Sequence, residues 1–95
     1  MATEIGKKPK FTLGRICATR GAYDLLPPED VMAALGRHLL GDWGEVGPED
    51  WKQNDEALED GSRLLSSYDD RNGVRFWIIT ECDRSLTTVL LPKEY

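Results

Sequence analysis

The sequence lacks any long hydrophobic run, and its 95 residues include one histidine and two cysteines. No stretch approaches the roughly 18 consecutive apolar residues of a transmembrane helix. The basic N-terminus is not followed by the apolar segment of a signal peptide. We therefore expect a cytoplasmic protein that does not associate with membranes. The sequence contains no metal cluster, catalytic triad or nucleotide-binding motif, so it predicts neither a metal ion nor a cofactor.

The two cysteines, Cys17 and Cys82, lie in segments predicted as strands and form no CxxC pair. In a cytosolic protein this arrangement favours two buried free thiols, with a disulfide as the alternative.

Charge is distributed unevenly along the chain. Residues 1–20 carry a net charge of +4, residues 21–60 a net charge of −9, and residues 61–95 no net charge. An acidic middle segment disfavours tight binding to nucleic acid, since phosphate attraction dominates that affinity. It favours solubility and a basic protein partner.

The pattern of residues predicts a flexible tail over 1–9 and a single α+β domain over 10–95. A first strand alternates over 10–19, and two helices begin near prolines, over 28–40 and 48–59. Three further strands follow, so the order is β-α-α-β-β-β. We predict an antiparallel four-stranded sheet with two helices packed on one face. The other face, or the last strand, is then left to bind another chain.

The strand register follows from the turns. The Asn-Gly pair at 72–73 predicts a two-residue hairpin turn, which places Tyr68 opposite Trp77. The last hairpin is predicted to pair Thr80 with Thr87.

His38 is predicted to lie on the apolar side of the first helix, one turn before its end. The helix dipole and nearby Asp42 favour the protonated imidazole, which suits a general acid or base. The alternative is a structural role, in which His38 bonds the free carbonyls at the helix end. Trp43 is predicted to fix this helix end to the core.

A second candidate site lies on the predicted sheet. The register places Arg63 on the same face as Thr80 and Thr87, and Arg84 in the turn near the same end. A basic side chain beside hydroxyl groups can hold a phosphate or carboxylate. Threonines also pair across strands for structural reasons alone, so both interpretations stay open.

Four segments, RHLLGDWGEV, EDWKQNDEAL, GSRLLSSY and FWIITECDRSLTTVLLPKEY, together resemble a family of small, uncharacterised, plasmid-related bacterial proteins. The resemblance covers residues 11–95, and the last segment is its most specific motif. It implies a stand-alone bacterial protein and no particular activity.

The order of elements also resembles the RelE-like toxins and the wider barnase-like group of metal-independent ribonucleases. That resemblance implies His38 as acid or base, Arg63 and Arg84 as groups that stabilise the phosphate, and Thr80 and Thr87 as groups that orient it. Such toxins are typically basic, whereas this chain carries a net charge of −5.

Taken together, the sequence predicts a protein-binding or self-associating module, whose partner is a basic protein or a second copy. The aromatic residues Trp43, Tyr68 and Trp77 are its predicted binding residues. The alternative is a ribonuclease that acts on RNA.

Overall fold

The computed structural model describes residues 8–95, so residues 1–7 of the predicted tail lie outside the described residues. The α+β class is confirmed. Its elements are β1 (Arg15–Ala18), α1 (Arg20–Leu25), α2 (Pro28–Leu39), α3 (Pro48–Asp60), β2 (Leu64–Asp69), β3 (Arg75–Thr80), β4 (Leu86–Leu90) and a short 3-10 helix (Pro92–Glu94). None of the helices between residues 8 and 95 is long and apolar enough to cross a membrane.

The four strands form a mixed sheet in the order β1-β4-β3-β2. β2, β3 and β4 form an antiparallel meander, whereas β1 runs parallel to β4. The prediction of an antiparallel sheet was therefore wrong for this pair. The chain leaves β1 through three helices before it returns as β2, and such a long connection allows β1 to run parallel to β4.

The prediction of two helices was also wrong, because the segment expected to be a connector forms α1. The side chain of Thr19 caps this helix by accepting a hydrogen bond from the Ala22 amide at 3.3 Å. Leu26 follows its last residue, and the two prolines at 27–28 stop it from continuing. Ala22 and Leu26 are buried, so α1 adds apolar residues to the core.

The first hairpin differs from the predicted register by one residue, so Tyr68 lies opposite Phe76 instead of Trp77. The carboxylate of Asp70 accepts hydrogen bonds from the amides of Asn72 and Val74, both at 2.8 Å. These bonds favour a longer turn that has one more residue in the loop than an Asn-Gly turn. The last hairpin pairs Thr80 with Thr87, as predicted.

The main core lies between one sheet face and the first two helices. Phe76, Ile78 and Val89 project from the sheet into this core, where they pack with Ala34 and Leu35 of α2. A second, smaller cluster packs α3 beside β2, around Trp43, Ala57 and Leu64. On the opposite sheet face, Tyr95 packs edge-on against Trp77.

The β2 edge of the sheet is closed by hydrogen bonds. The side-chain amide of Asn54 in α3 donates to the Leu65 carbonyl at 2.7 Å and accepts from the Leu65 amide at 3.2 Å. Two residues further on, Ser67 donates its amide to the Trp43 carbonyl and accepts from the Glu45 amide. The Asn54 side chain and the segment 43–45 thus take the place of a neighbouring strand.

Candidate functional site: the buried histidine and the free sheet edge

The imidazole of His38 lies in the core, with no exposed surface. The apolar side of α2 turns it towards the sheet, where hydroxyl groups from two strands meet it. Nδ1 lies 2.5 Å from the hydroxyl of Ser66, and Nε2 lies 2.9 Å from the hydroxyl of Thr80. Both ring nitrogens are therefore satisfied by side chains of the sheet.

These contacts belong to a continuous chain of hydrogen bonds, which we call the His38 network. It runs from Ser66 through His38 and Thr80 to Thr87, whose hydroxyl donates to the Leu13 carbonyl at 2.7 Å. The two threonine hydroxyls are 2.8 Å apart. The network joins α2, the meander and the segment before β1, so loss of one member also leaves its buried partners without a hydrogen bond.

The direction of the hydrogen bonds fixes the protonation of the ring. The Leu13 carbonyl can only accept, so Thr87 uses its one hydroxyl proton there. Thr80 must then donate to Thr87, so His38 Nε2 is protonated and its N–H donates to the Thr80 hydroxyl oxygen. Ser66 donates to the bare Nδ1. The network is complete with a neutral imidazole protonated at Nε2.

The electrostatics agree with this assignment. Burial and, to a smaller extent, the nearby Arg84 guanidinium together lower the pKa of His38 from its ordinary value of 6.5 to about 4. The expectation of a protonated imidazole was wrong, because Asp42 pairs with Arg37 at 2.8 Å instead. His38 does not cap the helix either, because its ring bonds hydroxyl groups of the sheet.

Two aromatic rings enclose the imidazole. Phe11 and Trp43 both meet it edge-on, with ring centroids 5.2 and 5.5 Å away. Trp43 has no exposed surface, and its indole N–H donates to Asp55 at 3.0 Å. It fixes the end of α2 to the core as predicted, and it does not form a binding surface.

Of the other two predicted binding residues, Tyr68 is also buried, and its hydroxyl donates to the Asp42 carbonyl at 2.6 Å. Trp77 is half-buried beneath Tyr95 on the opposite sheet face. The three aromatic residues therefore do not share a surface.

The five residues of the predicted ribonuclease site do not converge either. Thr80 and Thr87 join His38 in the core, whereas Arg63 lies on the opposite face, where it contacts Tyr95 and Glu81. The one-residue difference in the first hairpin moves Arg63 to that face.

The guanidinium of Arg84, the fifth of these residues, donates hydrogen bonds to backbone carbonyls. It bonds the carbonyls of Ala57, Ser62 and Glu81, so it ties the end of α3 to the last turn. Its donors are therefore used within the fold.

The cysteine side chains lie at the surface of the fold. Cys17 and Cys82 are both exposed and unpaired, so the expectation of buried thiols was wrong. Over the described range, no group of three or more His, Cys, Asp or Glu side chains is arranged to hold a metal ion.

β1 is an edge strand of the sheet, and its backbone pairs with β4 on one side only. The amide of Arg15 donates to the Ser85 carbonyl just before β4 at 3.0 Å, and the amide of Thr19 donates to the Val89 carbonyl in β4 at 2.9 Å. Because backbone groups alternate along a strand, the amide and carbonyl groups of Ile16 and Ala18 point away from the sheet. All four residues of β1 are exposed.

A groove of about 540 Å³ lies next to this edge, between β1, α1 and α2. Its lining is mostly apolar and comprises Ala18, Ala22, Tyr23, Asp24, Leu26, Pro28, Val31, Met32 and Val89. Tyr23 and Met32 are 79% and 68% exposed, and Ile16 on the strand itself is 51% exposed. Exposed apolar side chains beside an unpaired strand are typical of interaction sites.

Family models, curated proteins and solved structures were compared with this chain. None matches it.

Proposed function

We propose that this protein is a protein-binding module, and that it binds an extended strand of another polypeptide at the β1 edge. The observation that carries this proposal is the outward direction of the Ile16 and Ala18 backbone groups, since the amides of Arg15 and Thr19 donate inwards to carbonyls just before and within β4. Backbone hydrogen bonds to such an edge supply affinity whatever the sequence of the partner.

The side chains around the edge would supply specificity. An added strand would place alternate side chains on the helix-covered side, over the groove next to Ala18. Tyr23 and Met32 stand exposed at this groove, so an apolar side chain of the partner would cover them.

The two edges of the sheet differ in how far their backbone groups have hydrogen-bond partners. The β2 edge uses an asparagine side chain and a neighbouring segment to satisfy its backbone. β1 has no proline, and its one charged residue, Arg15, lies at its first position, so the rest of the strand has none of the residues that commonly protect an edge from pairing. This contrast supports β1 as the place where another chain binds.

The ribonuclease hypothesis needs a histidine that reaches a substrate. His38 has no exposed surface, and both of its ring nitrogens are already bonded. No observation in the site favours this second function.

A peptide of the β1 sequence tests the proposal directly. We would titrate labelled protein with a synthetic peptide of residues 13–19, carrying serine at position 17, and follow the amide resonances by NMR. Saturable shifts are expected for the amides of residues 14–19 and for Ala22. No shifts are expected at Leu65, because Asn54 already closes that edge.

Two variants of one residue provide the matched control. Ala18→Pro removes an outward amide without removing a bond to β4, so peptide affinity is expected to fall at least about tenfold. Ala18→Ser retains the amide and is expected to bind like the native chain. The proposal fails if the peptide causes no shifts in protein that sedimentation shows to be monomeric, or if both variants bind equally.

A further inference from the structure

We infer that the strand bound at the β1 edge is β1 of a second copy, which runs antiparallel about a two-fold axis at Cys17. This inference rests on the proposed function and names its partner. It joins the two sheets into one continuous eight-stranded sheet, since each sheet has four strands.

The directions of the backbone groups determine the register. In an antiparallel pair, hydrogen-bonded positions are occupied by residues whose amide and carbonyl both face the partner. In β1 these residues are Ile16 and Ala18, so Ile16 of each copy pairs with Ala18 of the other. Cys17 then lies opposite Cys17 of the second copy at a non-hydrogen-bonded position.

The side chains are self-complementary in this register. Ile16 and Ala18 share the helix-covered side of the sheet, because their partners on β4 are Thr87 and Val89. Ile16 of one copy therefore lies beside Ala18 of the other, at the mouth of the groove. Each copy contributes one isoleucine and one groove, as a two-fold interface requires.

The charges are also complementary. The register sets Arg15 opposite Thr19 of the second copy, whose hydroxyl bonds the carboxylate of Glu94 at 2.5 Å. Within the described residues, Arg15 forms no ion pair of its own. The guanidinium of each copy thus gains a carboxylate from the other.

The acidic part of the chain does not oppose this pairing. α3 carries much of the negative charge, and it packs beside β2, at the far side of the sheet from β1. Two copies joined through β1 keep their acidic helices at opposite ends, where screening by salt makes their repulsion small.

Disulfide trapping reports the register. A non-hydrogen-bonded pair has a Cα separation of about 4.5 Å, within the range of about 4.4–6.8 Å that a disulfide spans. Diamide oxidises two thiols to a disulfide by taking up their two protons and two electrons. Both cysteines are exposed, so Cys82 controls for random collision.

We would therefore compare two variants with one cysteine each. The Cys82→Ser protein retains Cys17 and is expected to form a disulfide dimer at least about tenfold faster than the Cys17→Ser protein, because effective concentration accelerates the reaction within a preformed dimer. Without diamide, sedimentation of the reduced native chain is expected to show a concentration-dependent dimer.

Variants of the β1 edge test whether the faster oxidation depends on strand pairing. Ala18→Pro, in the Cys82→Ser background, is expected to abolish the faster oxidation. If this variant fails to fold, Ile16→Lys takes its place. The lysine puts a charge at the apolar groove and is expected to abolish the faster oxidation in the same way. Equal oxidation of the two single-cysteine proteins, or a monomer at every concentration, overturns the inference. If the β1 peptide still shifts the edge amides in that case, the proposed function stands with another protein as partner.

Discussion

His38→Ala is expected to lower the free energy of unfolding by about 3–5 kcal/mol. The change removes a fully buried ring and leaves a cavity between Phe11 and Trp43. It also leaves the Ser66 hydroxyl proton and the Thr80 oxygen without their partner, and an unsatisfied buried polar group costs about 1–3 kcal/mol. Urea unfolding, followed by tryptophan fluorescence, measures the loss.

His38→Gln and Lys52→Ala are the controls for this prediction. Glutamine retains a donor and an acceptor, so it is expected to lose less stability than alanine does. Lys52 is exposed on α3, and its loss is expected to change stability by less than about 0.5 kcal/mol. A His38→Ala protein as stable as the Lys52→Ala protein would show that the His38 network does not support the fold.

Gly44→Ala is expected to destabilise the fold by more than about 3 kcal/mol, because strain and overpacking add at one position. Gly44 has a φ of +77°, and a Cβ atom there would lie only 2.0 Å from the Ser67 carbonyl oxygen. The segment around Gly44 would have to leave the β2 edge, with the loss of its backbone bonds to Ser67. Thermal and urea unfolding measure the effect.

Two other glycines serve as controls that separate backbone strain from overpacking as causes of the lost stability. Gly73 has a φ of +81° in open space, so Gly73→Ala is expected to cost only the conformational strain, about 1 kcal/mol. Gly36 lies exposed within α2 in open space, so Gly36→Ala is expected to stabilise the protein by about 0.5–1 kcal/mol. If Gly44→Ala costs no more than Gly73→Ala, the close approach to Ser67 has no energetic role.

Local signals predicted much of the fold. α2 and α3 were identified because each has a proline in its first turn, followed by two acidic residues that favour a helix start. α1 was missed because its six residues are too few to show a helical period, and only Ala22 among them is buried.

The errors in the sheet have physical causes. The predicted register of the first hairpin was wrong because the Asp70 side chain accepts hydrogen bonds from two amides of the turn. These two bonds outweigh the preference of the Asn-Gly pair for a shorter loop. The place of β1 beside β4 was missed because long-range pairing leaves no local pattern in a sequence.

The candidate site was predicted only in part. The helical period placed His38 on the inward side of α2, and the last hairpin brought Thr80 to Thr87 as predicted. Ser66 was missed as its partner, since the register error put it on the other face. The free edge of β1 could not be predicted, because it depends on the order of strands in the sheet.

The neutrality of His38 determines how stability depends on pH. Its pKa is about 4 in the fold, and 6.5 is the ordinary value expected after unfolding. The contribution of the neutral ring is therefore complete above about pH 6.5 and is lost as pH falls through about 4. Its size is about 3 kcal/mol, at 1.36 kcal/mol for each pKa unit.

The central claim is that the single histidine is a buried, neutral part of the fold, which supports the proposed binding at the β1 edge over the ribonuclease hypothesis. An NMR titration of the imidazole tests it most directly, because His38 gives the only histidine signals. We expect the signals of the folded protein to stay at their neutral positions down to about pH 5. Half-protonation of the folded protein between about pH 6 and 7 would contradict the account, because it requires a ring that water reaches.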